Sequence, residues 1–286
     1  KNNHFPSNCN GRDIINSIMA FFSGRTEETP VKQAFPTGSR DIFLSVIIPA
    51  YNEEKRIPKT LDIIAEYLRR QPYQSEILVV TDGPTDNTIG VVNDKKKAVP
   101  NLEILAMSKH RGKGYGVRMG MLHTTGRIRL FTDADNSTDI SHFDLMRPLF
   151  DKGFEVVICS RDPKDAKGAK QAISQKWYKR LAGNAGNLFI QMLAVRGIWD
   201  TQCGFKAFRS GAAEKIFGKS RINGFGFDIE TLTIARNLGY RIGIVPAHWE
   251  NDPSSRVRLL SYMKVFWETV LVKINLWRGR YEKDSI

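Results

Sequence analysis

The sequence predicts a doubly wound α/β fold built on a mostly parallel sheet, and three observations predict it. Short apolar runs recur, beginning with Phe43-Leu44-Ser45-Val46-Ile47-Ile48, of the kind that form strands covered on both faces. Stretches with apolar residues at helical spacing separate them. Each run ends in polar, Gly-rich or acidic residues, which gathers the loops around one crevice at the strands' carboxyl ends.

Residues 1–40 are polar and broken by Pro6, Gly11, Gly24, Pro30, Pro36 and Gly38, with helical character only from Asp13 to Phe22. They read as an arm packed on the main domain or lying on a membrane. The first strand is stopped by Pro49, and Ala50-Tyr51-Asn52-Glu53-Glu54 forms the loop after it. A helix then runs to about Arg70, with Ile57, Leu61, Ile64, Ala65 and Leu68 on one stripe. Ile77 to Val80 is the second strand, and Asp86 caps a short helix beyond it. Leu102 to Met107, Ile128 to Thr132 and Val156 to Cys159 are further strands; Gly112-Lys113-Gly114-Tyr115-Gly116 opens the helix between the first two of these. Residues 161–180 are basic, with Arg161, Lys164, Lys167, Lys170, Lys176, Lys179 and Arg180. An apolar but polar-punctuated helix follows from Leu181, then Asp200 to Lys206, then Gly224 to Glu230 opening another helix. After a basic loop with Arg256 and Arg258, Tyr262, Val265, Phe266, Trp267, Leu271, Ile274 and Trp277 line one last helix. Arg278, Arg280 and Lys283 close it.

This divides 286 residues into an arm over 1–40, one α/β domain over 41–252, and a basic amphipathic C-terminal helix over 253–286. The excess of 43 Lys+Arg over 30 Asp+Glu, a formal charge of +13, implies an anionic partner. Nucleic acid is the weakest of these, because the cations lie beside apolar helices and no nucleic-acid module signature appears. Basic residues next to a Trp-bearing apolar face suit an anionic membrane surface, and equally a helix docked on the core with a solvated edge. Cys9, Cys159 and Cys203 have no metal-site spacing and cannot all pair, which favours a reducing compartment. No uninterrupted apolar run reaches the roughly 20 residues of a bilayer span. The chain opens on Lys1, which leaves room for an upstream anchor.

The chemistry centres on Asp133-Ala134-Asp135, directly after the strand Ile128 to Thr132. Two carboxylates at a strand's carboxyl end are costly to hold together unless a cation sits between them. A divalent metal against a diphosphate is the functional reading; an ordinary loop or cap is the plain one. Lys113, between glycines at a helix start, is placed to meet a phosphate. Tyr51, Asn52 and Asp82 read either as pocket residues or as loop and turn chemistry.

The runs Val46 to Glu54, Asp82 to Thr88, Arg111 to Gly114, Asp133 to Asp135, Asp200 to Lys206 and Phe227 to Glu230, in this order, resemble family 2 glycosyltransferases of the GT-A fold. Within that family the resemblance is to the dolichyl-phosphate β-glucosyltransferase group, and Asp200-Thr201-Gln202-Cys203-Gly204-Phe205-Lys206 carries it furthest. One departure stands out: relatives usually show two aspartates after the second strand, whereas here Thr81 and Pro84 replace the first Asp and a Ser.

The resemblance implies transfer of glucose from UDP-glucose to a polyprenyl or dolichyl phosphate, with inversion, on the cytoplasmic face of a membrane. That is the endoplasmic reticulum in a eukaryote and the plasma membrane in a prokaryote. It leaves GDP-mannose as donor, and a polysaccharide or protein hydroxyl as acceptor, as alternatives. Asp133 and Asp135 would hold Mg2+ or Mn2+, with Asp135 the direct ligand; Pro49, Tyr51, Asn52, Glu53, Asp82, Lys113 and Ala134 would line the nucleotide-sugar pocket. Arg161 and, less directly, Arg209 would meet the acceptor phosphate. Asp200 would position that phosphate or take a residual proton, and Asp228, with Glu230, stands where hydroxyl-directed relatives keep a catalytic base. Capping at a helix start is the plain reading of the last two.

Overall fold

A computed structural model of the chain describes residues 41–171, 186–249 and 259–282. The expected arm over 1–40, Lys176, Lys179, Arg180, the helix start at Leu181, and Arg256, Arg258 and Lys283 lie outside them.

Seven strands form one mixed sheet: β1 (Leu44–Ala50), β2 (Ser75–Asp82), β3 (Leu102–Met107), β4 (Ile128–Thr132), β5 (Val156–Ser160), β7 (Phe205–Arg209) and β8 (Ile242–Pro246). Their order is β3-β2-β1-β4-β7-β5-β8. The pairs β3-β2, β2-β1, β1-β4 and β5-β8 are parallel. The Val, Ile and Leu residues of β1, β2, β4 and β5 are buried throughout, as strands covered on both faces require, while the edge strands β3 and β8 are only partly buried. The sheet reverses direction of growth at β1, between β2 and β4, so the loops leaving β1 and β4 part and open a crevice there.

Several strand readings change, and β8, like the short strands Lys170–Gln171 and His248–Trp249, is a strand not expected from the sequence. β1 runs through Pro49 to Ala50 rather than stopping before it. Pairing with β4 ends at Ile47, so beyond that residue one side of β1 carries no ladder and a missing donor is tolerated. β7 is a strand the sequence reading did not identify. It runs antiparallel to both neighbours, with Thr132 opposite Phe205 and Ile128 opposite Arg209. That reversal carries residues 200–204 to the carboxyl edge of β4 and sends Arg209 to the opposite edge.

Helices cover both faces. On one, α1 (Ile57–Arg69) buries Ile57, Leu61, Ile64 and Leu68 with α4 (His142–Asp151), which adds Phe143, Met146 and Phe150; α2 (Thr88–Lys96) contributes Val92. On the other lie α3 (Lys113–His123), α6 (Ser210–Lys219) and α7 (Phe227–Asn237). A Cβ at Gly120 would overlap Ile47, so α3 can lie hard against β1 and bring Lys113 to the crevice. A helix over 186–193, α5, and a short pair of strands, β6 (Lys170–Gln171) and β9 (His248–Trp249), complete the second half with the C-terminal helix α8 (Leu259–Trp277). One face of α8 buries Glu268, Thr269, Val272 and Asn275, and Glu268 accepts the Gly226 N–H at 2.7 Å. The opposite face leaves Met263, Phe266, Trp267 and Trp277 exposed. The docked and the surface-facing readings of this helix therefore describe its two sides. No helix among the described residues is long and apolar enough to cross a membrane.

Candidate active site

The centre of the crevice is the end of β4. Asp133 begins a turn in which its carbonyl accepts the N–H of Asn136, a residue at φ 52°. Asp135 Oδ1 accepts the Ser137 N–H at 3.0 Å, and the Ala134 carbonyl accepts the Thr60 hydroxyl at 2.7 Å, which ties the loop to α1. Lys113 Nζ lies 2.6 Å from Asp133 Oδ1. Burial pulls the Lys113 ammonium down, but the charges of Asp133 and Asp228 raise it above its ordinary value and keep it protonated. A Cβ at Gly204 would overlap the Asp133 carboxylate, so glycine lets the start of β7 close against it without displacing that group. Gly112, at φ +112°, turns the chain into α3 beneath Lys113.

Among the described residues no group of three or more His, Cys, Asp or Glu could hold a metal ion. Two carboxylates nevertheless fit a hard dication, which commonly takes one or two from protein and completes its shell with water and substrate phosphate. Asp135 spends one oxygen on Ser137 and keeps the rest of its lone pairs for such an ion.

Behind this edge lies a sealed ion pair. Lys206, 0 % exposed at the centre of β7, donates to Asp228 Oδ1 and to the Cys203 carbonyl. Burial raises the Asp228 carboxyl, opposed by Lys206 and Lys113. Asp228 thus fills the space under the site and is closed to an acceptor, which corrects its reading as a base. Glu230 is also structural. It accepts the N–H groups of Arg221 and Ile222 and the Tyr281 hydroxyl, and burial raises its carboxyl.

Among the residues read as the nucleotide pocket, Pro49 lies one residue before the end of β1, and Tyr51 exposes its ring 4.1 Å from that of His110. Asn52, at φ 57°, holds Thr85 through its amide and is a loop brace. Glu53 forms a bidentate pair with Arg56 at 2.6 Å, which commits its carboxylate within its own turn. Asp82 accepts the N–H groups of Arg111 at 2.7 Å and Gly112 at 2.8 Å, and its Oδ2 lies 2.8 Å from His110 Nδ1. Asp86 accepts the Thr88 N–H from just before α2, much as a cap does.

Two residues read from the sequence as acceptor-side meet each other. Arg161 grips Asp200 through Nε at 2.7 Å and a terminal nitrogen at 2.8 Å, and its backbone N–H adds a third bond at 2.9 Å. Burial alone would raise the Asp200 carboxyl, but Arg161 outweighs it and holds the group at about 2. A carboxylate held there does not take up a proton near neutral pH, so the proton-accepting role drops out. Arg161 lies over Trp249, and Asp165 fixes the loop by accepting the N–H groups of Trp199 and Asp200. Arg209 is at the wrong end of the sheet: it donates to the carbonyls of Phe150 and Phe154 at the amino edge. Its reading as an acceptor-phosphate ligand is withdrawn.

The sequence reading missed Lys206, Gly204, Asp165 and His110 as parts of this site. A charge inside the apolar run Phe205-Lys206-Ala207-Phe208 was the one available signal.

The glycosyl transferase family 2 model matches residues 45–217. A dolichyl-phosphate β-glucosyltransferase of Trichomonas vaginalis is 31% identical over 271 residues, covering 90% of this chain and 81% of that protein. The Drosophila melanogaster enzyme of the same name is 31% identical over 262 residues, covering 87% and 79%; that of Saccharomyces cerevisiae is 31% identical over 265, covering 86% and 78%. Among solved structures, glucosyl-3-phosphoglycerate synthase of Mycobacterium tuberculosis, in complex with Mn2+, UDP and phosphoglyceric acid, superposes with a TM-score of 0.58 at 19% identity, covering 86% of this chain and 81% of that one. Mannosyl-3-phosphoglycerate synthase of Rubrobacter xylanophilus gives 0.58 at 18%, covering 86% and 77%. The chain belongs to glycosyl transferase family 2, has that family's GT-A fold, and falls with the dolichyl-phosphate β-glucosyltransferases within it.

Proposed function

We propose that this enzyme transfers glucose from UDP-glucose to a polyprenyl phosphate, dolichyl phosphate in a eukaryote, with inversion at the anomeric carbon, at the cytoplasmic face of a membrane. One observation favours a phosphate acceptor over a hydroxyl. Both acceptor-side carboxylates named from the sequence are paired with a cation, Asp200 with Arg161 and Asp228 with the buried Lys206, and neither is left free to act as a base. A lipid monophosphate needs little help of that kind, since its second pKa is about 6 and it is largely ionised at neutral pH. A hydroxyl would need a proton acceptor.

Asp133 and Asp135 would hold Mg2+ or Mn2+, which when bound supplies positive charge for the departing diphosphate. Lys113 adds a fixed positive charge at the same edge, where charge develops as UDP leaves. Arg161 turns one edge of its guanidinium to Asp200, while Nη1 makes no hydrogen bond among the described residues. That free edge is the one we assign to the acceptor phosphate. Dolichyl phosphate named in the relatives, and UDP in a structural neighbour, support these two ligands.

The test is transfer of label from UDP-glucose and, in parallel, GDP-mannose to a polyprenyl phosphate with Mn2+. Organic-extractable product from UDP-glucose alone is expected; label found only in aqueous product, or only from GDP-mannose, overturns the reading.

The exposed apolar residues of α8 adjoin those of α5, Leu188 and Met192, through a Phe189–Phe266 ring stack at 4.3 Å. Lys264 and Lys273 lie on the same helix, with Lys273 over Trp277. Such a face with a basic margin supports contact with an anionic membrane surface. Met263→Glu with Trp267→Glu should cut co-sedimentation with anionic vesicles about tenfold or more and leave UDP affinity within twofold, since burying these side chains in lipid is worth roughly 2 kcal/mol each. Unchanged sedimentation would remove this face from the membrane reading.

A further inference from the structure

We propose that His110 occupies the nucleobase position when no donor is bound, and that UDP binds by displacing it. The inference rests on the donor reading above and concerns a residue that reading does not use. The His110 imidazole lies against the Tyr51 ring, with centroids 4.1 Å apart and a tilt of 36°. Its Nδ1 lies 2.8 Å from Asp82 Oδ2. The same nitrogen lies 3.3 Å from the Asp82 carbonyl. On the donor reading Tyr51 would lie against the nucleobase and Asp82 would accept its N–H, so a flat heterocycle against Tyr51 with a ring nitrogen at Asp82 stands where the base would.

The site leaves no second place for those contacts. A carboxylate has about four acceptor directions, and two at Asp82 belong to the Arg111 and Gly112 N–H groups. The Asp82 side chain is only 5 % exposed, with His110 over the remaining approach. His110 itself is 53 % exposed on its side chain, so its ring can turn out into water without leaving a cavity. The backbone cannot follow. Gly83, at φ +61°, packs so closely that a Cβ there would lie 2.6 Å from the His110 nitrogen, and the Gly83 N–H is held by the Met107 carbonyl at 3.1 Å. Displacement is therefore a side-chain rotation about a clamped loop.

When a pocket is open only part of the time, apparent affinity falls by the open fraction. His110→Ala removes the competitor and should tighten UDP binding about three- to tenfold, while Mn2+-dependent binding of inorganic pyrophosphate, which has no base, stays unchanged. His110→Gln, which keeps a donor but no ring, should lie between. In the wild-type protein, the His110 ring-proton resonances, shifted by the Tyr51 ring, should move towards their solvent-exposed values when UDP saturates the site. Weaker or unaltered UDP binding by His110→Ala, or His110 resonances that do not move, would overturn the displacement. Absence of UDP binding by both wild type and variant would instead remove the donor reading, and this inference with it.

Discussion

Asp135→Asn is expected to lower sugar transfer by two orders of magnitude or more, on the scale seen when one group stabilising a departing charge is removed, without unfolding the protein. The substitution is nearly isosteric, and an amide oxygen can still accept the Ser137 N–H that Asp135 accepts now. What disappears is one negative charge at the end of β4. The neighbouring Asp133 is a poorer probe, because it is paired with the half-buried Lys113, and its removal would take away that ammonium's ion-pair partner. Loss at Asp133 would therefore mix stability with activity, whereas loss at Asp135 isolates the charge. Turnover should be followed across a titration of Mn2+, with the thermal midpoint measured alongside. Partial rescue at high metal and an unchanged midpoint are expected. Wild-type turnover in the variant would show that Asp135 holds no ion that the reaction uses.

The contrast between those two aspartates marks how far a sequence can be read. β3 and β4 are legible to the residue because apolar runs end abruptly in polar or glycine-rich segments. β7 is not legible, since Lys206 interrupts its pattern, and the Asp228 that compensates is 22 positions away. The same limit governs the acids. Asp133, Asp135, Glu53, Asp228 and Glu230 look alike in a motif. Only folding reveals that Glu53 meets Arg56, that Asp228 meets Lys206, and that Glu230 meets two backbone N–H groups. Which carboxylate faces the crevice is thus a property of its partner. Arg209 failed for a different reason: its position depends on the direction of a strand that sequence periodicity did not identify.

Arg161 and Asp200 should fail together when either is altered. Asp200→Asn removes the charge that orients the guanidinium. Arg161→Lys keeps the positive charge but loses the planar fork that engages both carboxylate oxygens. Each is expected to cut turnover about 100-fold while leaving UDP affinity within about twofold, because the proposed function assigns the pair to the acceptor phosphate. Arg161→Ala should be worse for the fold, since it leaves a buried carboxylate without its cation, at a cost of roughly 3 to 5 kcal/mol. The pH dependence separates this electrostatic loss from mere disruption. Asp200 is held at about 2, below its ordinary 3.8, so its stabilisation is present above about pH 4 and is lost as pH falls through 2. The stability gap between wild type and Asp200→Asn should therefore be constant from pH 8 to 5 and shrink below 4, as read by urea midpoints at each pH. A gap that persists unchanged to pH 2 would mean that shape and not charge holds this corner. A loss of UDP affinity equal to the loss of turnover would move the pair to the donor side.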